Sequence, residues 1–263
     1  MNKSENLMKN SQTKFIIFTL ILTSITACGG GEPSRDGDDN NTSGGGGNNH
    51  PASICKESDG MPITIEALER KIRNNEDITR VNTCAITSMN SLFFGNETFN
   101  QDISHWNVGS LKNMNRMFWG AKSFNQDISR WDVSRVKNMT YMFRSATSFN
   151  QDISHWDVSS VTDMSMMFYD ATAFNQPIGL WNVSRVQAMT YMFQEAYSFN
   201  QKIGTWDVGD VEQMPHMFYQ ATSFNHPLVG WNTGRVVNAG SFRDGSALED
   251  RNLPHFNSGV DIN

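Results

Sequence analysis

From Phe99 onward the apolar positions of the chain recur every 25 residues without one insertion. Trp106, Trp131, Trp156, Trp181, Trp206 and Trp231 keep this period, as do Phe99, Phe124, Phe149, Phe174, Phe199 and Phe224, each followed by Asn. Ile103, Ile128, Ile153, Ile178, Ile203 and Leu228 complete the frame with Met114, Met139, Met164, Met189 and Met214. A degenerate coil precedes them: Ile78, Ile86, Met89, Leu92 and Phe93 stand 25 residues before Ile103, Leu111, Met114, Met117 and Phe118. One coil of this size cannot bury both its Trp and its Phe, so neighbouring coils must stack, and stability arises between them.

Two shorter periods alternate inside each coil. Trp106-Asn107-Val108 alternates apolar and polar, the pattern of a short strand. Leu111, Met114, Met117, Phe118 and Ala121 follow with the spacing of one helical face. Gly109, Ser134, Ser159, Ser184, Gly209 and Gly234 stand just before that face, where a helix N-cap prefers Ser or Gly. The pattern therefore predicts an α/β fold, a leucine-rich-repeat-like curved solenoid with one short parallel strand and one short helix per coil. Strands ~4.8 Å apart and helices ~8–10 Å apart would bend such a stack, strands on the concave side.

The predicted organisation is a leader over residues 1–27, a tether over 28–53 and an N-terminal helical cap over 54–77. The solenoid runs over 78–248, with the degenerate coil at 74–98 and full coils starting at 99, 124, 149, 174, 199 and 224; a cap or tail occupies 249–263. In the N-terminal cap, Ile63–Arg73 reads as an amphipathic helix with Thr64 as N-cap and Ile65, Leu68 and Ile72 inward.

The N-terminal composition changes where the body is held. Lys3, Lys9 and Lys14 precede the apolar run Phe15–Ile25, which is shorter than the ~20 residues of a membrane span and reads as the core of a signal peptide. Ile25-Thr26-Ala27-Cys28 resembles the bacterial lipobox, which implies that Cys28 is lipidated and anchors the protein to a membrane. Residues 29–53, rich in Gly, Asp and Asn, then form a tether of average reach about 25–30 Å. The expected location is the bacterial envelope, at the outer membrane or cell surface.

The net charge of −6 becomes −8 once residues 1–27, with three Lys and one Glu, are removed. A nucleic-acid partner is disfavoured, because phosphate binding needs a basic face. Oxidising surroundings predict a Cys55–Cys84 disulfide stapling the cap, against the alternative of two separate buried thiols.

The run Trp-Asp-Val-Ser-x-Val-x-x-Met-x-x-Met-Phe, followed by Phe-Asn-Gln-x-Ile, resembles the BspA-like leucine-rich-repeat surface proteins, whose repeats also occur in mycoplasma-type lipoproteins. The resemblance covers roughly residues 74–242 and is closest at Val161–Phe168. It implies a surface solenoid that, in some members, attaches to host or neighbouring-cell proteins, and it carries no catalytic residues over.

The remaining chemistry is read column by column. The tryptophans could stack on sugar rings, but their phase with Val108 and its equivalents favours core. Asn100 to Asn225 are expected to bond backbone in adjacent coils, and the Asn or Asp after each Trp to accept backbone N–H bonds in a turn. Asp102, Asp127 and Asp152 form a possible calcium row. The residue before each Trp varies as His105, Arg130, His155, Leu180, Thr205 and Gly230. It points away from the core by strand alternation, and is the best candidate for a ligand-facing strip, with simple drift on a solvated face as the alternative. No His-Glu-x-x-His spacing, phosphate loop or dinucleotide fingerprint occurs, and Ser134-Arg135-Val136-Lys137 matches Ser-x-x-Lys only on framework positions. No catalytic residue, resident metal or cofactor is expected. The expected partner is a protein or glycan, with an envelope scaffold facing the periplasm as runner-up and a hydrolase as a remote third.

Overall fold

The computed structural model describes residue 55 and residues 60–262. The leader, Cys28 and the tether lie outside the described residues. We number the coils 1 (74–98), 2 (99–123), 3 (124–148), 4 (149–173), 5 (174–198), 6 (199–223) and 7 (224–248).

Helix α1, Ile65–Arg73, opens the described body. Thr64 caps it by accepting the Ala67 N–H, and Glu66 in its first turn and Arg70, Lys71 and Arg73 in its last suit the helix dipole. Leu68 is fully buried, and Ile65 and Ile72 pack partly buried against the same core. An Ile63 N–H bond to the Asn82 carbonyl ties this cap to coil 1. Among the described residues no helix is long and apolar enough to cross a membrane.

The coils lie in parallel register. Single bridges join Ser88, Asn113, Asn138, Asp163, Ala188, Gln213 and Asn238, each to its equivalent in the next coil. Phe99, Phe124, Phe149, Phe174, Phe199 and Phe224 form one column of stacked rings, 5.7–6.1 Å between centroids. Phe93, Phe118, Phe143, Phe168, Phe193 and Phe218 form a second, at 5.3–5.7 Å. The two columns touch at about 4 Å where one coil runs into the next, as in Phe168 on Phe174. Each Trp of the 25-residue frame is buried, and its indole N–H donates to the Ile carbonyl of the preceding coil, as from Trp156 to Ile128 at 3.1 Å. A buried ring thus keeps no unpaired donor.

The coil interior differs from the expected strand and helix. No helix forms between Leu111 and Ala121 or at its equivalents. Arg116, Tyr141, Met166, Tyr191 and His216 hold φ of 54–59°, in the left-handed region. Four residues on, Gly120, Ser145, Asp170, Glu195 and Gln220 do the same, with φ of 54–74°. A right-handed helix cannot pass two such residues. Instead, N–H groups alternate between neighbours. Met164, Met166, Phe168 and Asp170 donate to Ala188, Thr190, Met192 and Gln194 of the next coil. Between them, Met167, Tyr169 and Ala171 donate three residues back to Met164, Met166 and Phe168. The three-residue apolar spacing comes from consecutive tight turns.

The expected strand at Trp106–Val108 is also absent. Asn107, Asp132, Asp157, Asn182, Asp207 and Asn232 each accept the N–H two residues on, at 3.0–3.3 Å, and so divert it from any ladder. The donors are the Ser and Gly residues expected as helix N-caps. With no helices at wide spacing, the bend expected from unequal spacing loses its cause.

Past Trp231 the frame closes differently. Ala239 and Phe242 are buried, Phe256 meets Phe242 edge to face at 5.3 Å, and the Leu228 N–H donates to Asn252. Asn252 donates its side-chain N–H to Asn225 Oδ1, as Gln176 does to Asn150 three coils earlier.

Candidate binding site

The residues before each Trp are all exposed: His105, Arg130, His155, Leu180, Thr205 and Gly230. Leu180 is the extreme, 91% exposed on an apolar side chain. They project from the turn between the buried Ile and the buried Trp, so the framework fixes their direction while leaving their identity free. Two shallow hollows open along this line. One, of about 340 Å³, is lined by Thr79, Arg80, Val81, Asn82, His105 and Asn107. The other, of about 520 Å³, lies around Pro177, Leu180, Asn200, Lys202, Thr205 and His226.

The second hollow forms where the coil changes chemistry. In coils 2 to 4 Asp102, Asp127 and Asp152 each accept the backbone N–H of Ser104, Ser129 or Ser154 at 2.9 Å. The Ser hydroxyl, and after it that backbone N–H, hold each carboxyl below the usual aspartate range. These carboxylates therefore serve their own turns, and among the described residues no three His, Cys, Asp or Glu side chains gather to hold a metal. In coil 5 the Asp and Ser give way to Pro177 and Gly179, and Ile178–Leu180 tightens into a single 3-10 turn. A Cβ on Gly179 would sit 2.2 Å from the Lys202 carbonyl oxygen. Gly179→Ala should therefore destabilise the protein by ~1–3 kcal/mol in urea unfolding, by forcing coils 5 and 6 apart. An unchanged midpoint would show that the close approach is not needed.

The other columns are framework. The six tryptophans of the 25-residue frame are 3–4% exposed and have no face open to a sugar. Asn100, Asn125, Asn150, Asn175 and Asn200 each accept, through Oδ1, the backbone N–H of the equivalent Asn one coil on, at 2.9–3.2 Å. Cys55 and Cys84 are bridged by a disulfide, Cα to Cα 5.3 Å, which ties residue 55 to coil 1.

Sequence reasoning missed one surface. The residue after Leu92-Phe93 in coil 1 and after each later Met-Phe pair is Phe94, Trp119, Arg144, Tyr169, Gln194 or Tyr219, and these meet along the stack. Phe94 packs edge-on against Trp119 at 4.9 Å, and the Arg144 guanidinium lies between Trp119 and Tyr169, 4.6 and 4.4 Å from their centroids. The left-handed column adds Arg116 over Tyr141 and Tyr191 stacked on His216 at 4.6 Å. This column changes residue type at every coil, so no periodic signal marks it.

Comparison with family models matches the chain, over residues 64–173 and 151–256, to the family described as Mycoplasma protein of unknown function, DUF285. The chain belongs to this family. The two matched segments overlap, as a sequence periodic in 25 residues allows. The DUF285 match takes in helix α1 and all seven coils, so both the exposed strip and the aromatic surface lie on the family's own repeat. No curated protein matches the chain. No solved structure matches it either.

Proposed function

We propose that this DUF285 protein is a lipid-anchored surface protein that binds a protein or glycan through the strip before each Trp. In this reading the repeat is a leucine-rich-repeat-like solenoid of the BspA-like kind, Cys28 carries the lipid, and residues 29–53 hold the body clear of the membrane. The observation that carries it is the contrast along one coil. The Ile and Trp on either side are invariant in kind and buried, while the residue between is exposed and passes from His and Arg to Leu and Thr. Both hollows lie on that line. Many weak contacts on a rigid repeat face suit recognition, and the reading assigns the protein no catalysis and no cofactor.

An envelope scaffold facing the periplasm would use the same anchor. Protease treatment of intact cells separates the two. The surface reading predicts that the full-length chain disappears while a periplasmic marker survives; a protected chain would contradict it.

A further inference from the structure

We propose that the aromatic and arginine face of the coils is where two copies of this chain meet, antiparallel, about a two-fold axis between coils 3 and 4. The face runs from Phe94 to Tyr219 and carries charge in a fixed order. Coil 2 presents Arg116 and coil 3 Arg144; coil 4 presents Asp170 and coil 5 Glu195. Two cationic coils are thus followed by two acidic ones. A two-fold axis lying in the face between coils 3 and 4 sets coil 3 of one copy against coil 4 of the other, and coil 2 against coil 5. Arg144 then faces Asp170, Arg116 faces Glu195, and Phe94 of coil 1 comes opposite Tyr219 of coil 6. A two-fold interface requires such self-complementarity, because one patch must match its own reversed copy.

Within a single chain these groups are incompletely used. Among the described residues none of the four charges enters an ion pair, while the nearby Lys122 and Glu97 pair at 2.8 Å. Glu195 accepts one side-chain N–H of Gln194 at 3.0 Å, and Arg144 Nε and Gln194 Oε1 are buried without a hydrogen-bond partner. Burial pushes the Asp170 carboxyl above the usual range, against the Ser145 hydrogen bond and the Arg144 and Lys122 charges of its own chain. Phe94 is 51% exposed at one end of the face. A glycan suits the face poorly. Sugars stack on open ring faces, but those of Trp119 and Tyr169 are turned to the Arg144 guanidinium.

No residue named on this face lines either hollow of the strip before each frame Trp. The test is sedimentation of the full chain in density-matched detergent, disulfide intact, at low and high salt. The expected result is a dimer that weakens as salt rises. Arg144→Glu alone and Asp170→Arg alone should each raise the dimer dissociation constant at least ~10-fold, and the two together should restore it. Arg144 packs between two rings, so Arg116→Glu and Glu195→Arg, singly and together, repeat the swap at less enclosed positions. A wild-type monomer would overturn the proposal. So would a dimer indifferent to all four charges, as association through the lipid anchor alone would be, or swaps that fail to restore pairing in both sets.

Discussion

Phe168→Ala should cost ~3–5 kcal/mol in urea unfolding, the range for emptying a large buried aromatic site. Phe168 is fully buried at the centre of the stack. Its ring meets Phe174, the first residue of coil 5, at 4.0 Å, Phe143 and Phe193 at 5.7 Å in the coils on either side, and Trp181 at 6.3 Å. Four ring contacts disappear together, and backbone bridges on both sides of coil 4 hold the neighbours too far apart to close the gap. Because each coil is stabilised by its neighbours, the loss should divide the stack. Amides of coils 3 to 5 should lose protection from hydrogen exchange more than those beside helix α1. A loss under 1 kcal/mol would mean that the Phe columns are not the core they form here.

Ser145 supplies the second large effect, and it tests the backbone. Its φ is 54° and its N–H donates to the Tyr169 carbonyl of the next coil at 2.8 Å. Proline fixes φ near −65° and has no N–H, so Ser145→Pro should cost ~3 kcal/mol or more. Ser145→Gly should be neutral or stabilising by up to ~1 kcal/mol, since glycine adopts this φ freely. Were this segment helical, glycine would instead destabilise it by roughly 0.5–1 kcal/mol relative to alanine. Urea midpoints of the glycine, alanine and proline variants therefore distinguish turns from helix by the sign of one change.

These two positions mark what can be read from the chain alone. Phe168 repeats at 25 residues, and a large apolar residue that repeats in strict register has to be core. Asn150 repeats with it, and an amide is the group able to accept a neighbour's N–H at every coil. The turn-forming Asp157 was legible for the same reason, since only Asn or Asp occurs in its column. The helix was misread because spacing by three and four is shared by a helical face and by tight turns in series. What separates them is the sign of φ, and Arg116, Tyr141 and Met166 are residue types that rarely announce a left-handed backbone. The glycines Gly95, Gly120 and Gly245 at the position of Ser145 were the available hint. The Trp119, Arg144 and Tyr169 surface could not be seen, because its members share no chemistry until stacking brings the Arg144 guanidinium within 5 Å of both rings.

The same contrast between repeating and varying positions underlies the functional account, in which buried columns build the coil and the residue before each Trp does the binding. The most direct measurement is binding of the full chain to glycan and matrix-protein arrays, beside variants Arg130→Ala, His155→Ala and Leu180→Asp. All three side chains are exposed, so the variants should unfold at the wild-type urea midpoint. The account predicts a ligand for the wild-type chain and at least ~10-fold weaker binding when the three changes are combined, about 1.4 kcal/mol. Full binding by the combined variant would contradict it.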